Sequence, residues 1–458
     1  MPDYDAIVIG TGQAGPFMAW RLAAAGMKVA VVERKWVGGT CVNTGCTPTK
    51  ALVASAYAAH LARRAADYGV TIGGPIGVDM KRVKARKDEI VLAKRDGQRK
   101  GLETTENITF HEGHARFRSS REVSVGETRL KAPRVFINVG GRATVPPIPG
   151  IEGVPYLTNT SMMDVDFVPP HLIIVGGSYI GLEFGQMYRR FGSKVTIVEM
   201  APRPIQNEDE DVSAAVHEIL AKEGIDIRLN AKCIKVAKRG DGIVLSVDCA
   251  TGAPDVVGSH LLLAVGRRPN TDDLGLDAAG VARDQRGFIT VDDQLQTNVP
   301  GIWALGDCNG RGAFTHTSYN DFEIVAANLL DGAQRRVSDR VPVYGLFTDP
   351  PLGRVGMTLT QAKKTGKKLL AAKRPMTRVA RAVEKGETQG FMKFVVDADT
   401  KALLGAAILG PGGDEAVHCV VDVMSAKAPY TVLQNTMHIH PTVAELIPST
   451  LEELKPVE

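Results

Sequence analysis

Residues 4–34 read "YDAIVIGTGQAGPFMAWRLAAAGMKVAVVER". Residues 6–9 form a short apolar run of the kind that makes a buried strand. Gly10-Thr11-Gly12-Gln13-Ala14-Gly15 follows, then an apolar-periodic stretch over residues 16–25 that predicts a helix, closed by Gly26. Residues 29–32 supply a second strand, ending at Glu33. Strand, glycine turn, helix and strand together make a dinucleotide-binding unit. Gly10 makes the turn, Gly12 lets the backbone approach a pyrophosphate, and Gly15 lets helix and strand pack closely. Free amides at the helix start attract phosphate, and Glu33 can accept hydrogen bonds from an adenosine ribose. Pro16 suits the first helical turn, where its missing N–H costs nothing.

The layout recurs in "HLIIVGGSYIGLEFGQMYRRFGSKVTIVEM" at 171–200. Gly10 to Glu33 and Gly176 to Glu199 are both 23 residues apart, and Gly181 repeats Gly15. Shared strands, helix and acid at equal spacing predict two dinucleotide sites. Ser178 stands where the template has its middle glycine. Glu199 favours a free ribose 2′-hydroxyl and repels a 2′-phosphate, so NADH is expected over NADPH, with Arg203 near enough in sequence to soften that preference.

Between the two units lies "GGTCVNTGCTPTK", residues 38–50. A bridge between Cys41 and Cys46 would close a six-residue ring and add only roughly 2 kcal/mol of loop-closure stabilisation. A chain of 458 residues has core enough without it. Thiolates, not thiols, exchange disulfides and bind soft metals. Cys46 begins a strongly helical stretch, "TPTKALVASAYAAHLARRAA" following it, so its sulfur is expected near a helix N-terminus that favours negative charge.

Two nucleotides and a close cysteine pair suggest an electron path, and here the chain resembles the FAD-dependent pyridine nucleotide-disulfide oxidoreductases: lipoamide dehydrogenase, glutathione reductase and mercuric reductase. The resemblance runs nearly end to end. Besides residues 38–50 it rests on "GSYIGLE" at 177–183, "AVGRRPNT" at 264–271, "IWALGD" at 302–307, "FTDPPLGRVG" at 347–356 and "HIHPTVAE" at 438–445. It implies an α/β fold: two Rossmann-like domains, for FAD and NAD, and a C-terminal α+β dimerisation domain. It also implies that Cys41 is the interchange thiol and Cys46 the thiolate against the flavin. Lys50 then lies at the flavin beside Glu183, and Tyr179 covers the nicotinamide pocket and swings away to admit it. His440, oriented by Glu445, becomes the acid–base catalyst, contributed by the other subunit of a homodimer. Histidine suits that role because it titrates near working pH. By the same match Asp307 binds a ribityl hydroxyl, Ala115 faces the adenine, Thr315 and Thr40 lie near the flavin, and Gly266 lines the NADH site. Gly140 stands where the family has Ala-Thr-Gly, so Asn138 and Val139 are departures.

The FAD domain is expected over 1–150 and 271–340, the NAD(P) domain over 151–270, and the interface domain over 341–458. "GRATVPPIPGIEG" at 141–153 marks the first crossing. "GFMKFVVDADTKALLGAAILG" at 390–410 reads as two strands joined by a polar turn, with a helix over 414–426 after it. Residues 80–100 carry nine basic and three acidic side chains and no aromatic, which reads as a solvated helix face rather than a nucleic-acid surface.

Composition bounds the partners. Hydrophobic residues at 44%, charged residues at 23% and a net charge of +4 imply neither nucleic acid nor membrane. No run approaches a bilayer span, and "MPDYDAIVIG" has aspartates where an export signal has basic residues, so a cytoplasmic location is expected. Six cysteines are too few for a disulfide scaffold, and no zinc motif is present. Mercuric reductases carry a C-terminal cysteine pair, whereas this chain ends "STLEELKPVE". The segment after Asp307, with "GCTPTK" and "FTDPPLGRVG", nevertheless looks most like the mercuric-reductase-like branch. The expected substrate is a disulfide or a thiophilic metal ion. Dihydrolipoamide dehydrogenase and, in another class, a non-enzymatic flavin-based redox sensor are the alternatives.

Overall fold

The computed structural model describes residues 3–231, 234–247 and 254–457. Cys233 and Cys249 lie outside them. Three sheets organise the chain. The first is parallel, in the order Ile302–Ala304, Val135–Ile137, Ala6–Ile9, Val29–Glu33, Ile108–Glu112. The second is also parallel: Asp226–Arg228, Lys194–Val198, His171–Val175, His260–Leu263. Central strands such as Ala6–Ile9 and Leu172–Val175 are buried on both faces, as parallel sheets covered by helices require.

The repeat seen in the sequence is a repeat in space. Ile9 pairs with Val32 in the first unit and Val175 with Val198 in the second, each one residue before the acid. The Gly10 N–H donates to Val32 O at 2.7 Å and the Gly176 N–H to Val198 O at 2.9 Å. Both glycines take positive φ, +97° and +115°, and a Cβ on either would stand 2.3 or 2.4 Å from a carbonyl oxygen of the neighbouring strand's exit. No L side chain fits there. The helices Gly15–Ala24 and Tyr179–Phe191 follow. The predicted helix over 16–25 thus begins one residue earlier, at Gly15. Ser178, in extended backbone at φ −105°, has no need to be glycine.

The C-terminal sheet has six strands, in the order Val343–Leu346, Leu352–Gly356, Leu403–Leu409, Phe391–Asp397, Leu369–Pro375, Lys455–Pro456. Every residue of Phe391–Asp397 is buried, as expected of a central strand. Instead of one helix over 414–426 there are two short ones, Gly413–Ala416 and His418–Ser425. They and Leu446–Glu452 cover the sheet with Val417, Val420, Ile447 and Leu451.

The basic stretch forms the helix Met80–Thr104, capped where Asp79 accepts the Arg82 N–H at 3.1 Å. It is not wholly a solvated face. Lys87 is 4% exposed and donates to Met163 O at 2.8 Å, because an ammonium taken from water must find acceptors. Among the described residues no helix is long and apolar enough to cross a membrane.

Candidate active site

A cleft of about 1700 Å³ runs between the two parallel sheets and the edge of the C-terminal one. That exceeds the roughly 300–1,000 Å³ of an ordinary small-molecule pocket and suits two extended cofactors. Gly10, Gly12 and Glu33 line one end, with Ala115 and Gly140 beside them. Thr40, Cys41, Cys46, Lys50, Asp307 and Thr315 line the middle, and Tyr179, Glu183 and Gly266 the far side. Gly15, Gly176, Gly181 and Glu199 lie behind the lining, where the first three shape the turns. His440 and Glu445 are outside the cleft altogether.

The acids are held alike. Glu33 Oε2 accepts the Thr11 N–H at 2.9 Å and the Thr11 hydroxyl at 2.7 Å, while Oε1 accepts the Lys35 N–H at 2.9 Å. Glu199 accepts the Gly177 N–H at 2.5 Å and the Ala201 N–H at 2.8 Å. Each carboxylate is therefore fixed beside its glycine loop. Arg203 Nη2 donates to the carbonyls of Gln206 and Glu208, 3.3 Å each.

Cys46 is the first residue of the helix Cys46–Arg63, and its Sγ lies 3.2 Å from the hydroxyl of Thr315, first residue of the helix Thr315–Leu330. Two helix N-termini converge on one sulfur. The Cys41 thiol's hydrogen bond, with lesser help from Thr315 and the Lys50 ammonium, lowers Cys46 to about 6 against the opposing effect of burial. Cys41 is pushed up, chiefly because its thiol proton is given to Cys46 and secondarily by burial. The reduced pair thus carries one proton and one thiolate, the latter on Cys46. Lys50 Nζ is 2.7 Å from Glu183 Oε2 and stands 4.2 Å over the Phe347 ring. Glu183 Oε1 accepts the Phe347 N–H at 3.0 Å.

Neither Asn138 nor Arg267 has a role assigned from the sequence. Asn138 is 4% exposed; its Oδ1 accepts the Gly15 N–H at 3.0 Å and its Nδ2 donates to Leu305 O at 2.8 Å. It ties the glycine turn to the strand that leads into Asp307. Its departure from the family pattern was the available signal. Arg267 reaches across the cleft to the Thr40 hydroxyl at 3.3 Å, to Gly141 O, and to Asp307 at 3.6 Å. Burial raises the Asp307 carboxyl, and Arg267 opposes that rise.

His440 Nδ1 is 2.9 Å from Glu445 Oε2. A carboxylate only accepts, so Nδ1 carries the proton and Nε2 points out, free to exchange one. The imidazole is 74% exposed, and Met437 and Ile439 beside it are 96% and 80% exposed. Among the described residues there is no cluster of three or more His, Cys, Asp or Glu side chains able to hold a metal ion.

A Rossmann pair sharing one cleft with a polarised dithiol defines a two-nucleotide dithiol oxidoreductase. The model for pyridine nucleotide-disulphide oxidoreductases matches residues 4–321, and that of the family's dimerisation domain matches 343–450. The probable pyridine nucleotide-disulfide oxidoreductase RclA of Escherichia coli is 37% identical over 97% of this chain and 98% of its own. Dihydrolipoyl dehydrogenase of Thermus scotoductus is 34% identical over 99% and 98%, and mercuric reductase of Streptomyces lividans 34% over 97% and 94%. A solved Cu(II) complex of the HOCl-induced flavoprotein disulfide reductase RclA from Escherichia coli superposes with a TM-score of 0.90 at 34% identity, covering 99% of both chains. The chain belongs to the pyridine nucleotide-disulphide oxidoreductases and is an FAD-dependent enzyme of that family. Its cofactors are FAD and NAD(P)H. The residues fit FAD: the glycine turn, the fixed Glu33, the half-buried Asp307 and the cysteine pair all line one cleft of about 1700 Å³.

Proposed function

We propose that the enzyme takes electrons from NADH and delivers them, through a Cys41–Cys46 disulfide, to a disulfide or a thiophilic metal ion. The thiolate on Cys46, set between two helix N-termini and beside Lys50, carries this reading. When bound, FAD supplies the two-electron link between nicotinamide and disulfide. Gly10, Gly12 and Gly140 with Glu33, Ala115, Thr40, Asp307 and Thr315 would hold it, and Glu199, Gly266 and Tyr179 the nicotinamide cofactor. The fixed Glu199 carboxylate supports NADH over NADPH.

Two electrons entering the disulfide leave one proton-bearing sulfur, Cys41, and one thiolate, Cys46. His440 of a partner subunit would take the Cys41 proton as that sulfur attacks a substrate disulfide, forming a mixed disulfide and releasing one thiolate. Cys46 then attacks Cys41, restoring the internal disulfide, and the same imidazole returns its proton to the second departing thiolate. The exposed His440 on an apolar-tipped loop supports contribution in trans and hence a homodimer. The division 1–150 with 271–340, 151–270 and 341–458 is supported by the strand membership of the three sheets.

Metal reduction rests on two relatives, mercuric reductase and the RclA captured with Cu(II), and on the affinity of thiolates for soft metals. Dihydrolipoamide oxidation is the second reading, favoured by the Thermus relative. Membership of an enzyme family sets the sensor reading aside.

The test is anaerobic titration of the purified holoenzyme with NADH, recorded as absorbance. A long-wavelength charge-transfer band that vanishes in Cys46→Ser is the expected result. Plain bleaching with no such band would remove the cysteine pair from the electron path.

A further inference from the structure

Tyr179 opens its helix with its ring wedged edge-on against two others. Phe314 is 5.9 Å away at 85° and Tyr344 5.5 Å away at 79°. Phe314 in turn stacks flat on Tyr344 at 5.6 Å and on His316 at 5.4 Å. Tyr344 belongs to the C-terminal sheet, on the strand Val343–Leu346, and its hydroxyl donates to Glu208 of the nucleotide-binding unit. Glu208 is 2% exposed and Arg354 is 1% exposed, with Arg354 Nε 3.8 Å from Glu208 Oε2. Among the described residues, neither Glu208 Oε2 nor Arg354 Nη2 has a hydrogen-bond partner.

The platform is anchored on both sides. Arg203 grips the Glu208 carbonyl at 3.3 Å. Asp209, next in the chain, accepts the Leu359 N–H at 2.9 Å, the Thr360 N–H at 3.0 Å and Lys393 Nζ at 3.1 Å. So Tyr344 cannot drift without disturbing a buried charged junction between two sheets. Burial pushes the Tyr179 hydroxyl up to about 12, so the ring is neutral at working pH and contact, not charge, holds it.

We propose that Tyr344, fixed by Glu208 and Arg354, is a positioning residue that latches Tyr179 closed over the nicotinamide pocket, so that the C-terminal sheet sets how often the pocket opens. The inference rests on the reading of Tyr179 as the cover of that pocket. A ligand that binds only the open state pays for the closed population: its apparent affinity falls in proportion to the fraction open. Loosening the latch must then tighten nicotinamide binding.

The experiment measures NAD+ binding to the oxidised holoenzyme by titration calorimetry, which involves no turnover. Tyr344→Phe keeps the ring and removes the hydroxyl that Glu208 holds. It is expected to tighten NAD+ by about fivefold, the shift that the net contribution of one hydrogen bond supplies, while the limiting rate of anaerobic reduction by NADH is kept. Glu208→Gln, which keeps an acceptor but drops the charge, should tighten it less and serves if Tyr344→Phe does not fold. Tyr179→Ala should tighten it most. Unchanged or weaker binding in the folded latch variants, with tighter binding in Tyr179→Ala, overturns the latch and leaves the cover intact. Unchanged or weaker binding in Tyr179→Ala overturns the cover itself, and the latch with it.

Discussion

Lys50 Nζ and Glu183 Oε2 lie 2.7 Å apart across the join between the two nucleotide-binding units, with the carboxylate 7% exposed and the ammonium 33%. One helix carries Cys46 and Lys50, and the other begins at Tyr179. The ion pair therefore ties these two helices together as well as placing a cation near Cys46. Lys50→Met leaves a buried carboxylate with only the Phe347 N–H. The expected loss is roughly 1–3 kcal/mol of stability, read from the denaturant midpoint of the holoenzyme, and Lys50→Arg should recover most of it.

The reduced enzyme should titrate one thiolate at about pH 6, seen as ultraviolet thiolate absorbance against a Cys46→Ala baseline. Cys41→Ala removes the largest cause and should move the titration up furthest, with Thr315→Val and Lys50→Met moving it less. An unfolded thiol keeps its ordinary value of 9.0, so the folded value near 6 means stabilisation that is complete above pH 9 and lost as pH falls through 6. The denaturant midpoint of reduced wild type, relative to Cys41→Ala, should climb between pH 6 and 9.

Asn138 bridges the Gly15 amide and the Leu305 carbonyl, both buried. Asn138→Ala leaves the Gly15 N–H with Gly12 O at 3.1 Å and the Leu305 carbonyl with the weak Cys308 thiol donor at 3.3 Å. It should cost roughly 1–3 kcal/mol by thermal or chemical unfolding. Because the same side chain fixes the turn facing the FAD cleft, the variant should also keep less flavin after gel filtration.

Asn138 marks the boundary of what the sequence carries. Both nucleotide-binding units, the dithiol and the helix behind Cys46 were legible, because each is local: strand, glycine turn and acid lie within 29 residues. The paired strands of the C-terminal sheet were legible for the same reason. Contacts between distant segments left no such pattern. Nothing near Asn138 announces Leu305, nothing near Tyr344 announces Glu208, and Lys87 in a basic run gives no sign of burial against Met163. Arg203 lies near Glu199 in sequence, yet the hydrogen bonds it makes go to the loop's own carbonyls. Even His440, found by its neighbours Pro441 and Glu445, stands away from the cysteines in its own chain.

Glu199 should decide the nicotinamide preference. Its carboxylate is fixed by the Gly177 and Ala201 amides, so a 2′-phosphate meets a negative charge. Wild-type kcat/KM for NADH should exceed that for NADPH by about 100-fold, some 3 kcal/mol. Glu199→Ala should bring the ratio within about tenfold of unity, measured by initial rates with a disulfide acceptor.

The origin of the acid–base group is decided by mixing subunits. His440 is exposed to solvent, as are Met437 and Ile439 just before it, and is not among the residues lining the cleft that Cys41 lines in its own chain. If a partner supplies it, a hybrid dimer of one Cys41→Ser subunit and one His440→Gln subunit has one complete site. The Cys41→Ser subunit lends His440 to its partner's intact dithiol, while the reciprocal site lacks both groups. Each homodimeric variant should lose 100-fold or more of disulfide reduction, about the weight of a general acid–base group. Refolded hybrids carrying two different affinity tags should recover about half the wild-type activity per dimer. No recovery in isolated hybrids would place the catalytic proton exchange within one chain, and the exposed His440–Glu445 pair would need another explanation.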